Sequence, residues 1–480
     1  MKPLQHAPHP VPAPFRFSCI TLGCKVNQYE THALREAWLA AGHVEALDIA
    51  DAEYIFVNSC AVTAKAVADV RSAVHRANRA APQAAIVVTG CAAQVMRDDL
   101  ASLPGVVLVT PQSEKALLRE FTPSNNMPRA KKNAQSAFPP FSISSYDRSR
   151  AVLKVQDGCS HRCAYCIVPL ARGPSRSRPP REAAAEAHRL LEAGFRELIV
   201  NGVNLSQYGG DIRPPLDFWD LLHFLERELA PEWHGEARLR LSSLEPGQLT
   251  QKALDTLSAS RLVAPHIHLS LQSGSPVILR RMGRGHCSPA LLEVFFRQLH
   301  SIWPLFGLGA DILTGFPGET EENAMETKDL CAALPFTYGH VFPYSPRPGT
   351  AAAAWPDQIS GAVRKKRAAE LRDLFSRKQH EFLVHSLSLP RVHVAREGGA
   401  SAGGINEYYS DCVFTARPAG FAHRSLTPAR PVGISPGGKL EVTARQGNGD
   451  TEDYAAADTC EARLNGISSS SANVSWDASH

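Results

Sequence analysis

Between residues 17 and 109 the apolar positions follow two alternating rhythms. Short apolar runs at 17–22, 54–58, 85–90 and 106–109 have the length of strands, and the stretches at 31–41 and 63–79 follow them as helices. Strands that alternate with helices are joined by crossovers, so the pattern predicts a parallel, Rossmann-like α/β domain over residues 15–125.

From 121 to 149 the chain turns to Pro, Asn, Ser and Lys without apolar periodicity and carries the basic residues Arg129, Lys131 and Lys132. This predicts a linker, placed at 126–146. The βα rhythm then resumes, with strands expected at 151–155, 197–201, 238–241, 266–271, 309–313 and 338–344. Six such units over 147–385 imply a partial or full βα barrel of the TIM-barrel type, closed by a charged helix around 364–384. Short strand-like runs at 391–395, 411–415 and 440–443 predict a small C-terminal β module over 386–446. The stretch 447–480 is too poor in apolar residues to pack and is expected to be disordered.

No run approaches the ~20 apolar residues of a membrane-spanning helix. The Pro- and His-rich start, residues 1–14, lacks the apolar stretch of a signal peptide, so a cytoplasmic protein with no membrane partner is expected. Nothing suggests coiled-coil association, and a monomer is the expectation. A formal charge of +4 does not by itself point to nucleic acid, which leaves that question to local clusters.

The 11 cysteines change the picture. An odd number in a chain with no export signal argues against a disulfide framework and for metal or redox chemistry. Cys159, Cys163 and Cys166 form C-x3-C-x2-C directly after the strand at 151–155, where a βα barrel customarily carries its active site. Three thiolates can ligate three irons of a [4Fe–4S] cube and leave the fourth open. A zinc site, with His161 as a fourth ligand, or a redox C-x-x-C, are the competing readings. Cys24, Cys60 and Cys91 each lie just past a strand of the first domain, where the loops of a parallel sheet converge on one edge. They make a second three-thiolate candidate, with buried apolar cysteines as the alternative. Cys19, Cys287, Cys331, Cys412 and Cys460 are read as ordinary small side chains.

The stretch Gly23-Cys-Lys-Val-Asn-Gln-Tyr-Glu30, with Asn58-Ser-Cys-Ala-Val-Thr63 and Gly90-Cys91, resembles the N-terminal domain of methylthiotransferases. The stretches from Gln156 to Pro169 and from Ala171 to Gly173 resemble that family's radical S-adenosylmethionine (SAM) signature. Downstream, Asn201-Gly-Val-Asn204, Ser242-Ser-Leu-Glu-Pro246, Leu271-Gln-Ser-Gly274, Gly315-Phe-Pro-Gly-Glu-Thr320 and His340-Val-Phe-Pro-Tyr-Ser345 keep the family order, so that the resemblance spans 15–385.

The resemblance implies two [4Fe–4S] clusters. Cys159, Cys163 and Cys166 would hold the one that chelates and cleaves SAM, and Cys24, Cys60 and Cys91 an auxiliary one where sulfur is methylated. The deoxyadenosyl radical made from a second SAM would open carbon 2 of an adenine to the methylthio group by hydrogen abstraction or radical attack, since no side-chain base can usefully deprotonate that C–H. Asn204, Glu245 and Gln272 fall in motifs that resemble the family's cofactor-facing loops. The partners implied are tRNA and an electron donor such as flavodoxin or ferredoxin.

Lys25-Val-Asn-Gln-Tyr-Glu30 resembles the branch acting on N6-threonylcarbamoyladenosine next to the anticodon; the isopentenyladenosine and ribosomal-protein aspartate branches are the alternatives. Arg172, Arg176 and Arg178, close behind the radical cysteines, are expected to face RNA phosphates, and Arg280, Arg281 and Arg284 form a second basic group. The C-terminal module resembles the family's TRAM RNA-binding barrel, but Gly-rich 398–404 and Pro-rich 428–436 are expected to interrupt its strands.

Overall fold

Five parallel strands open the computed structural model: β1 (Arg16–Thr21), β2 (Val44–Glu45), β3 (Tyr54–Ser59), β4 (Ala85–Gly90) and β5 (Val106–Pro111), in the order β2-β1-β3-β4-β5. Residues 55–59 and 86–90 are buried without alternation, the mark of strands covered on both faces. The structure describes residues 14–123, 138–397, 403–416 and 424–444. Residues 1–13, Arg129, Lys131 and Lys132, residues 398–402 of the Gly-rich segment and the tail from 447 with Cys460 lie outside them.

Helix α1 (Lys25–Ala40) starts six residues earlier than the expected 31, directly after Cys24. Its apolar stripe, Val26, Tyr29, Ala33 and Trp38, is buried on the sheet, and the Trp38 indole donates to the Leu118 carbonyl at 2.6 Å. Helix α2 (Ala64–Ala80) is capped by Thr63, whose hydroxyl accepts from the Ala66 N–H. Helix α3 (Cys91–Val95) follows β4 without an intervening loop.

The second layer is a partial barrel of six parallel strands. Ala151–Lys154, Glu197–Asn201 and Arg238–Leu241 form one half; His266–Gln272, Gly307–Thr314 and Tyr338–Pro343 form the other. Single bridges at Leu239–Val263 and Leu244–Leu269 join the halves. Helices Phe218–Trp233 and Glu321–Ala333 are started by reciprocal caps, Asp217 with Asp220 and Thr320 with Asn323. One continuous apolar core runs from Phe17 and Trp38 through Leu153 to Ile312, so the α/β domain and the barrel are packed together rather than tethered.

Residues 138–146, the end of the expected linker, belong to that core. Phe141, Ile143 and Tyr146 are buried, and the Glu36 carboxylate accepts from the backbone N–H groups of Ser144 and Ser145 at 2.9 and 2.7 Å.

The C-terminal strands Val392–Arg396, Gly403–Ile405, Asp411–Phe414, Leu426–Ile434 and Leu440–Ala444 close into a barrel. The prolines do not break it. Leu426–Ile434 remains one strand, and Pro431 sits at a register shift, where a missing N–H costs no ladder bond. Glu197 holds Arg238 and Arg240 at 2.6 Å, and both guanidinium groups then donate to barrel carbonyls: Arg238 to His393 and Ile405, Arg240 to Asn406 and Glu407. No helix among the described residues is long and apolar enough to cross a membrane.

Candidate metal centres

Three loops at the C-terminal edge of the first sheet converge, as the crossover rule for parallel sheets requires. Cys24 caps α1 and is exposed, Cys60 follows β3 and Cys91 opens α3; the last two are buried. Gly23 has φ +97°, and a Cβ there would lie 2.7 Å from the Cys60 Cβ, so glycine is what lets the first two loops touch. Gly90 is held the same way, with φ +98° and a would-be Cβ 2.4 Å from the Ser59 carbonyl oxygen. The three cysteines line a cavity of about 740 Å³.

The second triad sits on the loop after Ala151–Lys154. The Cys159 N–H donates to the Gly173 carbonyl at 3.0 Å and the Cys166 N–H to that of Cys163 at 3.0 Å. Gly158, at φ +72°, would place a Cβ 2.0 Å from the Pro174 oxygen. Cys159, Cys163 and Cys166 line a neighbouring cavity of about 500 Å³ together with Asn204, Glu245 and Gln272, so the six residues expected from sequence are brought together. The two cavities share Cys24, Val62, Val203 and Asp311, which makes them halves of one space.

The polar residues are set by their neighbours. The Asn204 side chain donates to the Cys159 sulfur at 3.6 Å and the Gln207 amide does so at 3.7 Å, the kind of contact that tunes a metal-bound thiolate. Gln272 is held at φ +68°, a strained conformation for a residue with a side chain, at the end of its strand and on the cavity wall. Glu245 is paired with Arg284, which also donates to the Ser270 carbonyl.

Burial pushes the Cys60 thiol up to about 11 and the Cys166 thiol to about 12, and raises Cys91 and Cys163 as well. A soft cation has to displace those protons, and each triad has a guanidinium opposing the burial: Arg172 for Cys60 and Cys91, Arg284 for Cys163 and Cys166.

Arg172, Arg176 and Arg178 do not form the expected phosphate-facing group. Arg172 is 6% exposed and bonds Glu30 at 2.9 Å, Asp157 at 2.8 Å and Asn27 at 2.7 Å. Arg178 is 4% exposed and paired with Glu186 at 2.8 Å, and Arg176 faces Asp157 at 3.8 Å. Arg284, of the second basic group, is buried on Glu245.

Sequence reasoning missed the network around Glu30. This fully buried carboxylate also binds Lys115 at 2.6 Å and Lys154 at 2.7 Å, and Lys154 reaches Asp157 at 2.8 Å. Burial alone would raise the Glu30 carboxyl; Arg172, Lys115 and Lys154 overcome it and hold the group well below the carboxylate range. Counting Arg176 on Asp157, four cations face two carboxylates, which leaves positive charge in surplus beside the Cys24, Cys60 and Cys91 site. A signal was present: Lys154 ends an otherwise apolar strand, and a buried lysine implies a buried partner.

Among the described residues Glu245, His286 and Cys287 also gather three metal-ligand atoms, but Glu245 is already occupied by Arg284. His161 lines the cavity of Cys159, Cys163 and Cys166, with its Nδ1 3.4 Å from the Asn204 amide and its ring 5.0 Å from that of His286. Two sets of three soft thiolates are a donor set that fits iron–sulfur clusters.

Comparison with known proteins adds the following. Residues 16–110 match the family described as Uncharacterized protein family UPF0004, and residues 153–331 match the Radical SAM superfamily. The chain is 36% identical over 376 residues to the threonylcarbamoyladenosine tRNA methylthiotransferase MtaB of Bacillus subtilis, covering 75% of this chain and 80% of the relative. It is 35% identical to the protein of the same name from Rickettsia prowazekii, covering 77% and 85%. The tRNA-2-methylthio-N(6)-dimethylallyladenosine synthase of Syntrophobacter fumaroxidans is 33% identical, covering 76% and 81%. Among solved structures, the radical S-adenosylmethionine methyltransferase TsrM of Kitasatospora setae, with cobalamin and a [4Fe-4S] cluster bound, shares the fold at a TM-score of 0.53 and 16% identity, covering 71% of this chain and 77% of that one.

Proposed function

The chain belongs to the radical SAM methylthiotransferase family, and from that membership we propose that it converts N6-threonylcarbamoyladenosine next to the tRNA anticodon into its 2-methylthio derivative. The observation that carries this reading is the single space walled by two cysteine triads, in which one adenine can meet both. Its cofactors are two [4Fe–4S] clusters and SAM, and its substrate is tRNA.

In this reading Cys159, Cys163 and Cys166 hold the cluster that works with SAM, and Cys24, Cys60 and Cys91 hold the auxiliary one. The first cluster with SAM supplies one-electron chemistry able to break an aromatic C–H bond. The protein's own residues do the positioning. Asn204 and Gln207 donate to the Cys159 sulfur, Gln272 is fixed on the wall by its strand end, and Glu245 holds the Arg284 guanidinium toward Cys163. The Glu30–Arg172 pair joins the helix that starts at Cys24 to the helix Val168–Arg172 that starts just after Cys166, and so sets the spacing of the two triads. Residues 15–125 then form the auxiliary-cluster domain, 147–385 the radical core and 386–446 the small barrel, with a reductant such as flavodoxin or ferredoxin, and a monomer in the cytoplasm as the working form.

The test is anaerobic reconstitution followed by turnover on an anticodon stem-loop carrying threonylcarbamoyladenosine, with mass spectrometry of the nucleosides. The 2-methylthio derivative is expected. Product formed only on a dimethylallyladenosine stem-loop would move the chain to the sister branch, and no product on either would overturn the reading.

A further inference from the structure

The cations on the wall of the larger cavity fall into two groups. Arg150 is engaged by Glu397 at 3.1 Å, and Arg172 by Glu30 and Asp157. Lys25 and Arg148 line the same cavity, and among the described residues neither has a carboxylate partner. Of the anions on this wall, Glu397 is held by Arg150 and Asp311 faces the His268 Nε2 at 3.2 Å; among the described residues neither forms an ion pair with Lys25. Lys25 is the first residue of α1, half-buried beside Cys24, and lines the cavity of the Cys24, Cys60 and Cys91 triad as well as a smaller one with Ser242, His268 and His340.

An ammonium on the cavity wall with no ion pair among the described residues is open to a carboxylate as a charge-assisted partner. The two nucleosides in the relatives' names differ in this respect. A threonylcarbamoyl group ends in a free carboxylate and a hydroxyl; a dimethylallyl group is wholly apolar and would leave the ammonium desolvated and unpaired. A site built around a charged group rejects an analogue lacking it far better than an apolar pocket rejects a methylene.

We propose that Lys25 is a specificity-determining residue whose ammonium receives the threonyl carboxylate of the modified adenosine. This rests on the substrate assigned above and adds the atom that recognises it. Arg148, exposed on the same wall, adds to the positive field into which the carboxylate moves.

The experiment measures binding of three anticodon stem-loops to the reconstituted protein by fluorescence anisotropy. One stem-loop carries threonylcarbamoyladenosine, one its threonyl carboxamide, and one unmodified adenosine. Wild type should bind the carboxylate form at least about tenfold tighter than the carboxamide, ~1.4 kcal/mol. Lys25→Gln should shrink that ratio below about twofold, and Lys25→Arg, which keeps the charge, should restore most of it and serves as the readout if the Gln variant loads iron poorly. A Lys25→Gln protein that still prefers the carboxylate tenfold, or that loses the same factor on all three RNAs as a phosphate contact would, overturns the proposal. Failure of the substrate assignment looks different: wild type then yields no methylthio product on the carboxylate stem-loop.

Discussion

Replacing Glu30 by Gln should cost more stability than any surface substitution in this chain, and the structure says how much. Glu30 has no exposed surface and contacts Lys115, Lys154 and Arg172 at 2.6, 2.7 and 2.9 Å. Without its charge Lys154 and Arg172 keep only Asp157, which also faces Arg176, and Lys115 keeps no carboxylate among the described residues. Breaking one buried pair by removing one partner costs ~3–5 kcal/mol, because the remaining charge stays buried and uncompensated. Here the amide can still donate and accept hydrogen bonds but cannot neutralise, so a loss of about 3–5 kcal/mol is expected in denaturant unfolding followed by circular dichroism. The double variant Glu30→Gln/Lys115→Met removes one cation with the anion and should recover part of that loss, giving a coupling energy of ~1–3 kcal/mol. Because Glu30 also spans the two triad-bearing helices, methylthio transfer by Glu30→Gln should fall further than its cleavage of SAM. A Glu30→Gln protein within ~0.5 kcal/mol of wild type, with no coupling to Lys115, would refute the reasoning, since water would then be supplying the missing compensation.

Substituting Cys159, Cys163 and Cys166 together by Ala should lower bound iron from about eight to about four per chain and abolish SAM cleavage; cleavage that survives would misplace the radical site. Lys154 and Arg172 overcome burial to hold the Asp157 carboxyl at about 2, against an unfolded value of ~3.9, so its stabilisation is complete above pH ~4 and is lost as pH falls toward 2, on the order of 2 kcal/mol. Asp157→Asn should therefore flatten the acid limb of stability against pH, and an unchanged limb would contradict the assignment. Arg178→Met should destabilise the fold by stranding Glu186 yet leave the slope of log affinity for tRNA against log salt unchanged; a slope reduced by about 0.9 would return Arg178 to the phosphate contacts.

The six barrel strands were legible to within about two residues because each is a short apolar or alternating run separated from the next by a loop or helix pattern. The meeting of Cys24, Cys60 and Cys91 at one cavity was legible because strand ends in parallel sheets share an edge. The start of α1 was not. Lys25, Asn27, Gln28 and Glu30 look like loop residues on polarity, yet Asn27 is 1% exposed and its amide donates to the Leu22 and Ser59 carbonyls, fastening the loops that carry Cys24 and Cys60. The arginines were misread for a related reason. Charge in a sequence carries no sign of whether its partner is a phosphate outside or a carboxylate inside, and the partners of Arg172 lie 142 and 15 residues away. Cys287 was taken for a plain small side chain, but it borders Arg284 and Glu245 at 3.7 and 3.9 Å, contacts that no spacing rule announces.

The clamp of Arg238 and Arg240 on the carbonyls of the small C-terminal barrel turns that barrel into a gauge. Gly307 tightens it: a Cβ there would sit 1.9 Å from the Tyr408 carbonyl oxygen, so the two backbones meet with no cushion between them. A module on a loose tether can touch a long polymer anywhere within its swing and leaves the reacting position undetermined. A module bolted to the strands that floor the chamber keeps one offset from it, so that a polymer gripped by both would present one position to the chamber.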